Sequence, residues 1–181
     1  MASSETPSFI QLLNPHESTD ALRESLLACW VEVSNAGGAA GFPFPPVDVS
    51  EVAAVLDGII AGLGPQSSRL LVVAVDGAVA GWLSIRRDLG PLVSHWGTLH
   101  HVQTRLGVRG QGMGAALMRR AREIAREEMG LEQLHLAVRG GVGLEEFYGR
   151  LGWQEIGRWP GALRFAPEDR RDEVLMLLSP L

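Results

Sequence analysis

The 181-residue sequence has one cysteine, one tyrosine and no long apolar run. Cys29 cannot form an internal disulfide, and its place in a helical apolar pattern predicts a buried structural thiol. The first seven residues lack the basic start and the apolar stretch of a signal peptide, and no segment is apolar over the length of a membrane span. We therefore expect a cytoplasmic protein that has no membrane partner.

Positive charge is also scarce. Sixteen basic residues against twenty-one acidic ones leave a net charge of −5, which argues against broad attraction to nucleic acid or to an anionic membrane. Hydrophobic residues make up 46% of the chain, so we expect a packed core. The length fits a single domain, placed at residues 9–181 behind a frayed N-terminal segment, 1–8.

Apolar periodicity and turn residues predict a mixed order of elements. Strands are predicted at 9–13, 70–75, 78–85, 95–105, 134–138, 153–159 and 173–179. Helices are predicted at 20–33, 48–63, 112–129 and 144–151. Asp76-Gly77 is the commonest chemistry of a two-residue hairpin turn. The order predicts an α+β fold with a mixed sheet.

The most informative segment, 104–115, lies between a predicted strand and a long predicted helix. Alternate glycines leave room for a ligand close to the backbone, namely Gly110, Gly112 and Gly114. Successive amide groups at a helix N-terminus can hold a pyrophosphate, and Arg105 and Arg109 add positive charge nearby. A glycine-rich turn that only begins a helix is the simpler alternative. A P-loop is excluded, because Ala115 follows where Lys is required.

A dinucleotide site is the rival interpretation of this loop. Gly110-x-Gly112-x-x-Ala115 satisfies the dinucleotide-binding fingerprint within a strand–helix–strand unit. However, the loop comes late in the chain and follows an antiparallel hairpin. The next strand also ends in Arg139, where an NAD site requires an acidic residue.

With a second motif, the loop resembles the GCN5-related N-acetyltransferases (GNAT family). Arg109, Gly112 and Gly114 match that family's Gln/Arg-x-x-Gly-x-Gly/Ala pattern, and segment 147–153 is similar to its aromatic-Tyr-x-x-x-Gly-aromatic signature. The resemblance is clear over about residues 70–159. It implies a central, mostly antiparallel twisted sheet flanked by helices, and acetyl-CoA as the acyl donor. Weaker similarities, at 36–42, 134–136 and 159–161, are to the small-molecule branch that includes the tabtoxin-resistance acetyltransferase.

The resemblance implies a donor site and a general acid. The donor-binding residues would be Val102, Gln103, Thr104, Arg109, Gly110, Gln111, Gly112, Met113, Gly114 and Ala115. The first three would bind the pantetheine arm through their backbone, and the amides of 110–115 would hold the pyrophosphate. Tyr148 would protonate the leaving thiolate, unless it is only a packing residue of an amphipathic helix.

The catalytic base is left open. Relatives often carry Glu on the strand before the loop, and the spacing places His100 there, with His101 next to it. An imidazole titrates near neutral pH and could take the ammonium proton, but a histidine merely packed in the sheet is an equal alternative. Since adjacent strand residues point to opposite faces, we expect at most one of the two to face the acceptor. Gly141 and Ala137 replace an Asn and an acidic residue of relatives, so either a histidine substitutes or the acceptor arrives neutral.

These observations predict an enzyme that transfers acetyl to a primary amine of a small molecule. No metal is predicted, because the histidines lack ligand spacing, and no nucleic acid partner is expected. The resemblance allows a homodimer, since dimers are common in the family. The apolar loop 41–46 is predicted to wall the acceptor pocket, pack on the sheet edge or make a dimer contact. A non-catalytic acyl-CoA sensor is the alternative from another class.

Overall fold

The structure, a computed structural model, describes residues 7–38, 41–42 and 45–181. Its strands are β1 (Ser8–Leu12), β2 (Ser68–Val75), β3 (Ala78–Arg86), β4 (Trp96–Thr104), β5 (Gln133–Arg139), β6 (Gln154–Ala166) and β7 (Asp169–Leu178). Its helices are α1 (Asp20–Asn35), α2 (Val49–Ala61), α3 (Met113–Glu123) and α4 (Leu144–Arg150). Residues 1–6 of the predicted frayed segment lie outside the described residues, and β1 begins at Ser8.

The seven strands form one sheet in the order β1-β2-β3-β4-β5-β7-β6. All neighbours are antiparallel except β4 and β5, which run parallel and pair only from Trp96 to Thr98. Beyond Thr98 the paired register with β5 ends although β4 continues to Thr104, so the two strands diverge and leave a gap in the sheet. The predicted α+β fold, a mostly antiparallel sheet flanked by helices, is confirmed.

Local chemistry accounts for the main turns and helix starts. Asp76 and Gly77 both have positive φ, +51° and +78°, as a two-residue hairpin turn between right-twisted strands requires. Thr19 caps α1 by accepting a hydrogen bond from the Leu22 amide at 3.2 Å. Asp48 caps α2 by accepting one from the Ser50 amide at 2.7 Å. Each cap satisfies an amide that the first helical turn leaves unpaired.

Helices divide the core between the two faces of the sheet. On the α3 face, α3 and α4 bury a cluster that includes Leu117 and Tyr148. On the α1 face, α1 and α2 bury a second cluster around Trp30 and Trp82. Successive side chains of a strand point to opposite faces of the sheet, so every second residue enters the same cluster. In β5, Leu134, Leu136 and Val138 all belong to the α3 face. Cys29 is buried in the α1 face, and burial raises the pKa of its thiol to about 12.

Three element boundaries differ by more than two residues from the sequence prediction, and one of them is the start of β7, which lies at Asp169 and not at Glu173. β6 continues through Pro160 to Ala166, whereas we predicted its end at Trp159. As an edge strand it has no partner on its outer side, and a register shift between Trp159 and Leu163 accommodates the proline. The predicted helix 112–129 is α3 followed by one π-turn, Ile124–Glu128. No helix in the described part of the chain is long and apolar enough to cross a membrane.

Candidate active site

The gap between β4 and β5 opens into a cleft of about 950 Å³, within the usual range of ligand pockets. The end of α1 and the loop after it, β4, the loop before α3, α4, and the β6–β7 hairpin all contribute walls. The predicted site residues that line it are His100, His101, Val102, Gln103, Thr104, Arg109, Gly110, Gly112, Met113, Gly114, Ala115 and Tyr148. Fold topology thus brings together residues far apart in sequence.

The N-terminus of α3 forms a part of the cleft wall rich in free amides. Gly110 and Gly112 have φ of +76° and +82°, and a Cβ added at either would meet nothing within 4 Å. The first bond into the helix is from the Ala116 amide to the Gly112 carbonyl oxygen at 2.9 Å. The amides of Met113, Gly114 and Ala115 therefore lack an acceptor within the helix and can bind an anion.

Three side chains of the predicted loop have distinct surroundings. Gln111 folds back and donates to the Gly107 carbonyl oxygen at 3.0 Å, and it is absent from the cleft lining. The expectation that Arg105 adds charge beside the loop is wrong. Its guanidinium instead reaches the α1 side, where it bonds Glu32 at 2.6 Å, because that carboxylate offers a direct ion pair. Arg109 lines the cleft.

A β-bulge in β4 places both histidines on the cleft. Ser84 pairs with His100 and Trp82 with Gln103, so two residues of β4 lie opposite one of β3. His101 takes up the extra length with φ of +56°, and its ring centroid lies 5.9 Å from that of His100. The expectation that at most one of them faces the acceptor is therefore wrong, because simple strand alternation does not hold across a bulge.

The two histidines differ in their surroundings. His101 packs edge-on against Trp30 with ring centroids 4.9 Å apart, and its Nδ1 lies 3.4 Å from the Ser84 hydroxyl. Burial, with His100 and Arg86 nearby, lowers the pKa of His101 to about 4. Burial and Arg86 also lower the pKa of His100. Neutral imidazoles can accept protons, but lowered pKa values make them weaker bases.

Tyr148 lies between the core and the cleft. It is 4% exposed and its ring contacts those of Phe147 and Trp153 edge-on, with centroids 5.0 Å and 6.0 Å away. It also lines the cleft. Burial raises the pKa of its hydroxyl, so the phenol keeps its proton well above neutral pH. Its phenol is thus protonated at neutral pH, and its ring is packed as a core residue.

Several cleft residues were missed at the sequence level. Phe165 and Glu173 line it from β6 and β7, and Arg139 lines it from the end of β5. The Arg139 guanidinium donates to the Gly37 carbonyl oxygen at 2.6 Å and lies 4.6 Å from the centre of the Phe165 ring. The alternation of β5 could have placed Arg139 on the face opposite its core neighbour Val138. No comparable signal marked the β6–β7 hairpin.

The apolar loop after α1 also reaches the site. Gly41 and Phe42 line the cleft, and Phe42 contacts Trp30 with ring centroids 5.1 Å apart. Residues 43–44 of the predicted apolar loop lie outside the described residues. Among the described residues no group of three or more His, Cys, Asp or Glu side chains could hold a metal ion.

Comparison with known proteins identifies the class. The model of the acetyltransferase (GNAT) family matches residues 19–153, more than half of the chain, so this chain belongs to that family. This membership, together with a sheet in which only β4 and β5 are parallel, contradicts the dinucleotide interpretation. No curated protein matches the sequence.

Solved structures share the fold at low sequence identity. A GCN5-related N-acetyltransferase from Kribbella flavida superposes with a TM-score of 0.74 at 21% identity, covering 97% of this chain and 98% of that one. A protein named as a phosphinothricin N-acetyltransferase gives 0.74 at 20% identity, covering 95% and 98%. The ribosomal-protein-S18-alanine N-acetyltransferase from Escherichia coli gives 0.68 at 17% identity, covering 97% and 94%. Similarity at this level concerns the fold alone.

Proposed function

We propose that the protein transfers an acetyl group from acetyl-CoA to a primary amine of a small molecule, in the cytoplasm. The observation that carries this proposal is the open gap between β4 and β5, with the free amides of α3 at one end and Tyr148 and His100 on its walls. Membership of the GNAT family supports acetyl transfer, and the neighbour named for phosphinothricin supports a small acceptor.

The residues present fit the proposed donor. The amides of Met113, Gly114 and Ala115 suit a pyrophosphate, with Arg109 as a nearby cation. The Gln103 side-chain oxygen is buried without a hydrogen-bond partner, and Gln103 lines the cleft.

The proposed mechanism has two proton transfers by residues of this chain. Both histidines line the cleft, but His101 is packed against the rings of Trp30 and Trp82, so we assign to His100 the step that takes a proton from the acceptor ammonium. The neutral amine attacks the thioester carbonyl carbon, so that a C–N bond forms, the C–S bond breaks and the nitrogen releases its second proton to solvent, as His100 releases the first. Tyr148 donates its phenolic proton to the departing sulfur and regains one from solvent.

The test is CoA release with a library of primary amines. Wild-type protein should release CoA only when both acetyl-CoA and an accepted amine are present. Tight acetyl-CoA binding without turnover on any amine would instead favour a non-catalytic sensor. The lowered pKa values of His100 and His101 favour this alternative, because they make both imidazoles weaker bases.

A further inference from the structure

Arg139 is one of three charged cleft residues that the proposed reaction does not use, the others being Arg164 and Glu173. It lies on the α1 face, because its neighbour Val138 packs in the α3 face cluster and because it contacts Gly37 in the loop after α1. The loop that begins α3 packs on the other face, where Gly114 abuts Phe147. Arg139 therefore approaches the gap from the α1 face, whereas the free amides of α3 lie on the α3 face.

The guanidinium of Arg139 is held in place but has no anionic partner. The Gly37 carbonyl oxygen takes one N–H, and the ring of Phe165 covers the guanidinium at 4.6 Å. Within the described part of the chain no carboxylate lies within ion-pair distance of it, although Glu173 is its register partner on β7. Its Nε is buried without a hydrogen-bond partner.

The neighbouring charges leave this end of the cleft positive. Arg164 and Glu173 also line this end of the cleft and carry opposite charges, while Asp169 is bound to Arg171 at 2.5 Å and so is already neutralised. Burial and Arg171 lower the pKa of Arg139, so its charged form would gain from an added anion.

We propose that Arg139 binds an anionic group of the acceptor, so that the acceptor is a small amine that also carries a carboxylate or a similar oxyanion. This inference rests on the proposed acetyl transfer and names its substrate class. A planar guanidinium oriented by Gly37 and Phe165 can bond an oxyanion while the amine extends toward His100. The alternative is that Arg139 only pins the loop after α1 to the β6–β7 hairpin.

Matched substrates separate these two roles. Unbranched ω-amino carboxylates of two to six carbons would be assayed beside their carboxamides, which keep the amine and remove the charge. We expect wild-type kcat/KM to favour the carboxylate about 10- to 100-fold at one chain length, as a charge-assisted hydrogen bond allows. Arg139→Gln should reduce that ratio below about threefold, and Arg139→Lys should retain part of it.

Controls and a binding assay make the outcomes decisive. Arg126→Gln removes an equal charge from an exposed site outside the cleft and should keep the wild-type preference. Equal use of both members by wild type, or a preference that Arg139→Gln leaves intact, would overturn the inference. If no amine is acetylated, the proposed function fails. In that case the inference is tested by calorimetry with the N-acetylated carboxylates and carboxamides. The affinities of wild type and Arg139→Gln for the two ligand series are then compared in the same way.

Discussion

At the scale of single residues, Tyr148 is the sharpest test of the proposed chemistry. Tyr148→Phe removes one oxygen and keeps the ring that contacts Phe147 and Trp153. We expect kcat to fall about 10²- to 10⁴-fold, the usual contribution of a general acid, because the departing thiolate loses its proton donor. Steady-state CoA release measures this loss.

Two readouts separate this chemical effect from a structural one. The melting temperature and the affinity for acetyl-CoA of Tyr148→Phe should stay close to those of wild type, since the aromatic packing remains. Trp153→Phe is a matched variant that disturbs the same packing without touching the phenol or the cleft lining, and it should lower stability more than kcat. If Tyr148→Phe turns over at the wild-type rate, Tyr148 is a packing residue only.

His101 makes a residue-scale prediction about stability and pH. Its pKa is about 4 when folded and near the ordinary 6.5 when unfolded, so between these values the unfolded chain binds the proton more readily. The free energy of unfolding should therefore decrease as pH falls from about 6.5 to about 4, and this contribution should be fully present above that window. Urea unfolding at a series of pH values measures the slope.

Asparagine is the appropriate replacement because it tolerates the positive φ of His101. His101→Asn should flatten the slope between pH 6.5 and 4. The control His16→Asn removes an exposed histidine outside the cleft and should keep the wild-type slope. An unchanged slope in His101→Asn would show that its imidazole is not held neutral in the native state.

At the scale of elements, the turn into α3 depends on backbone that only glycine adopts easily. Gly112→Ala should raise the KM for acetyl-CoA by at least several-fold, because the left-handed φ of +82° strains an alanine and tilts the amides after it. The strain should also cost about 1–2 kcal/mol of stability. Gly107→Ala is the control, since its φ is not positive and its added Cβ meets nothing within 4 Å. Equal KM values for the two variants would contradict the anion-binding role of the turn.

Local patterns predicted most of these elements. The Asp76-Gly77 turn and the alternation of β2 and β3 required no knowledge of distant contacts. The bulge at His101 was not predictable, because it depends on pairing with β3 that the sequence of β4 does not encode locally. The passage of β6 through Pro160 was missed for a similar reason, since only sheet order makes β6 an edge strand.

Much of the candidate cleft was predictable from the sequence, including His100, His101 and the loop at Gly41 and Phe42. Gly110, Gly112 and Tyr148 lie in contiguous motifs, and the fold brings both motifs to one cleft. Arg139 and Phe165 meet through the pairing of β5 with β7 and of β7 with β6. The two residues lie in distant segments that carry no short motif. Their contact could therefore be recognised only once the order of the strands was known. Arg105 is a contrasting case. It lies in the predicted loop segment, but its side chain turns away from the loop to form an ion pair with Glu32.

At the scale of the whole molecule, residues from both faces of the sheet line the gap between β4 and β5. The loop before α3 and the end of α4 belong to the α3 face, while Arg139, Phe42 and the histidines belong to the α1 face. Under the proposed function, donor and acceptor would therefore reach the gap between β4 and β5 from different faces of the sheet.

The central claim, that acetyl-CoA occupies the gap between β4 and β5, is most directly tested by amide hydrogen exchange with and without acetyl-CoA. Added acetyl-CoA should slow exchange in residues 99–104 and 109–115, because β4 amides beyond Thr98 and the free amides of α3 would gain acceptors. Peptides from α2 should be unaffected, and NAD should protect neither segment. Protection confined to other segments, or no protection at saturating acetyl-CoA, would contradict this assignment.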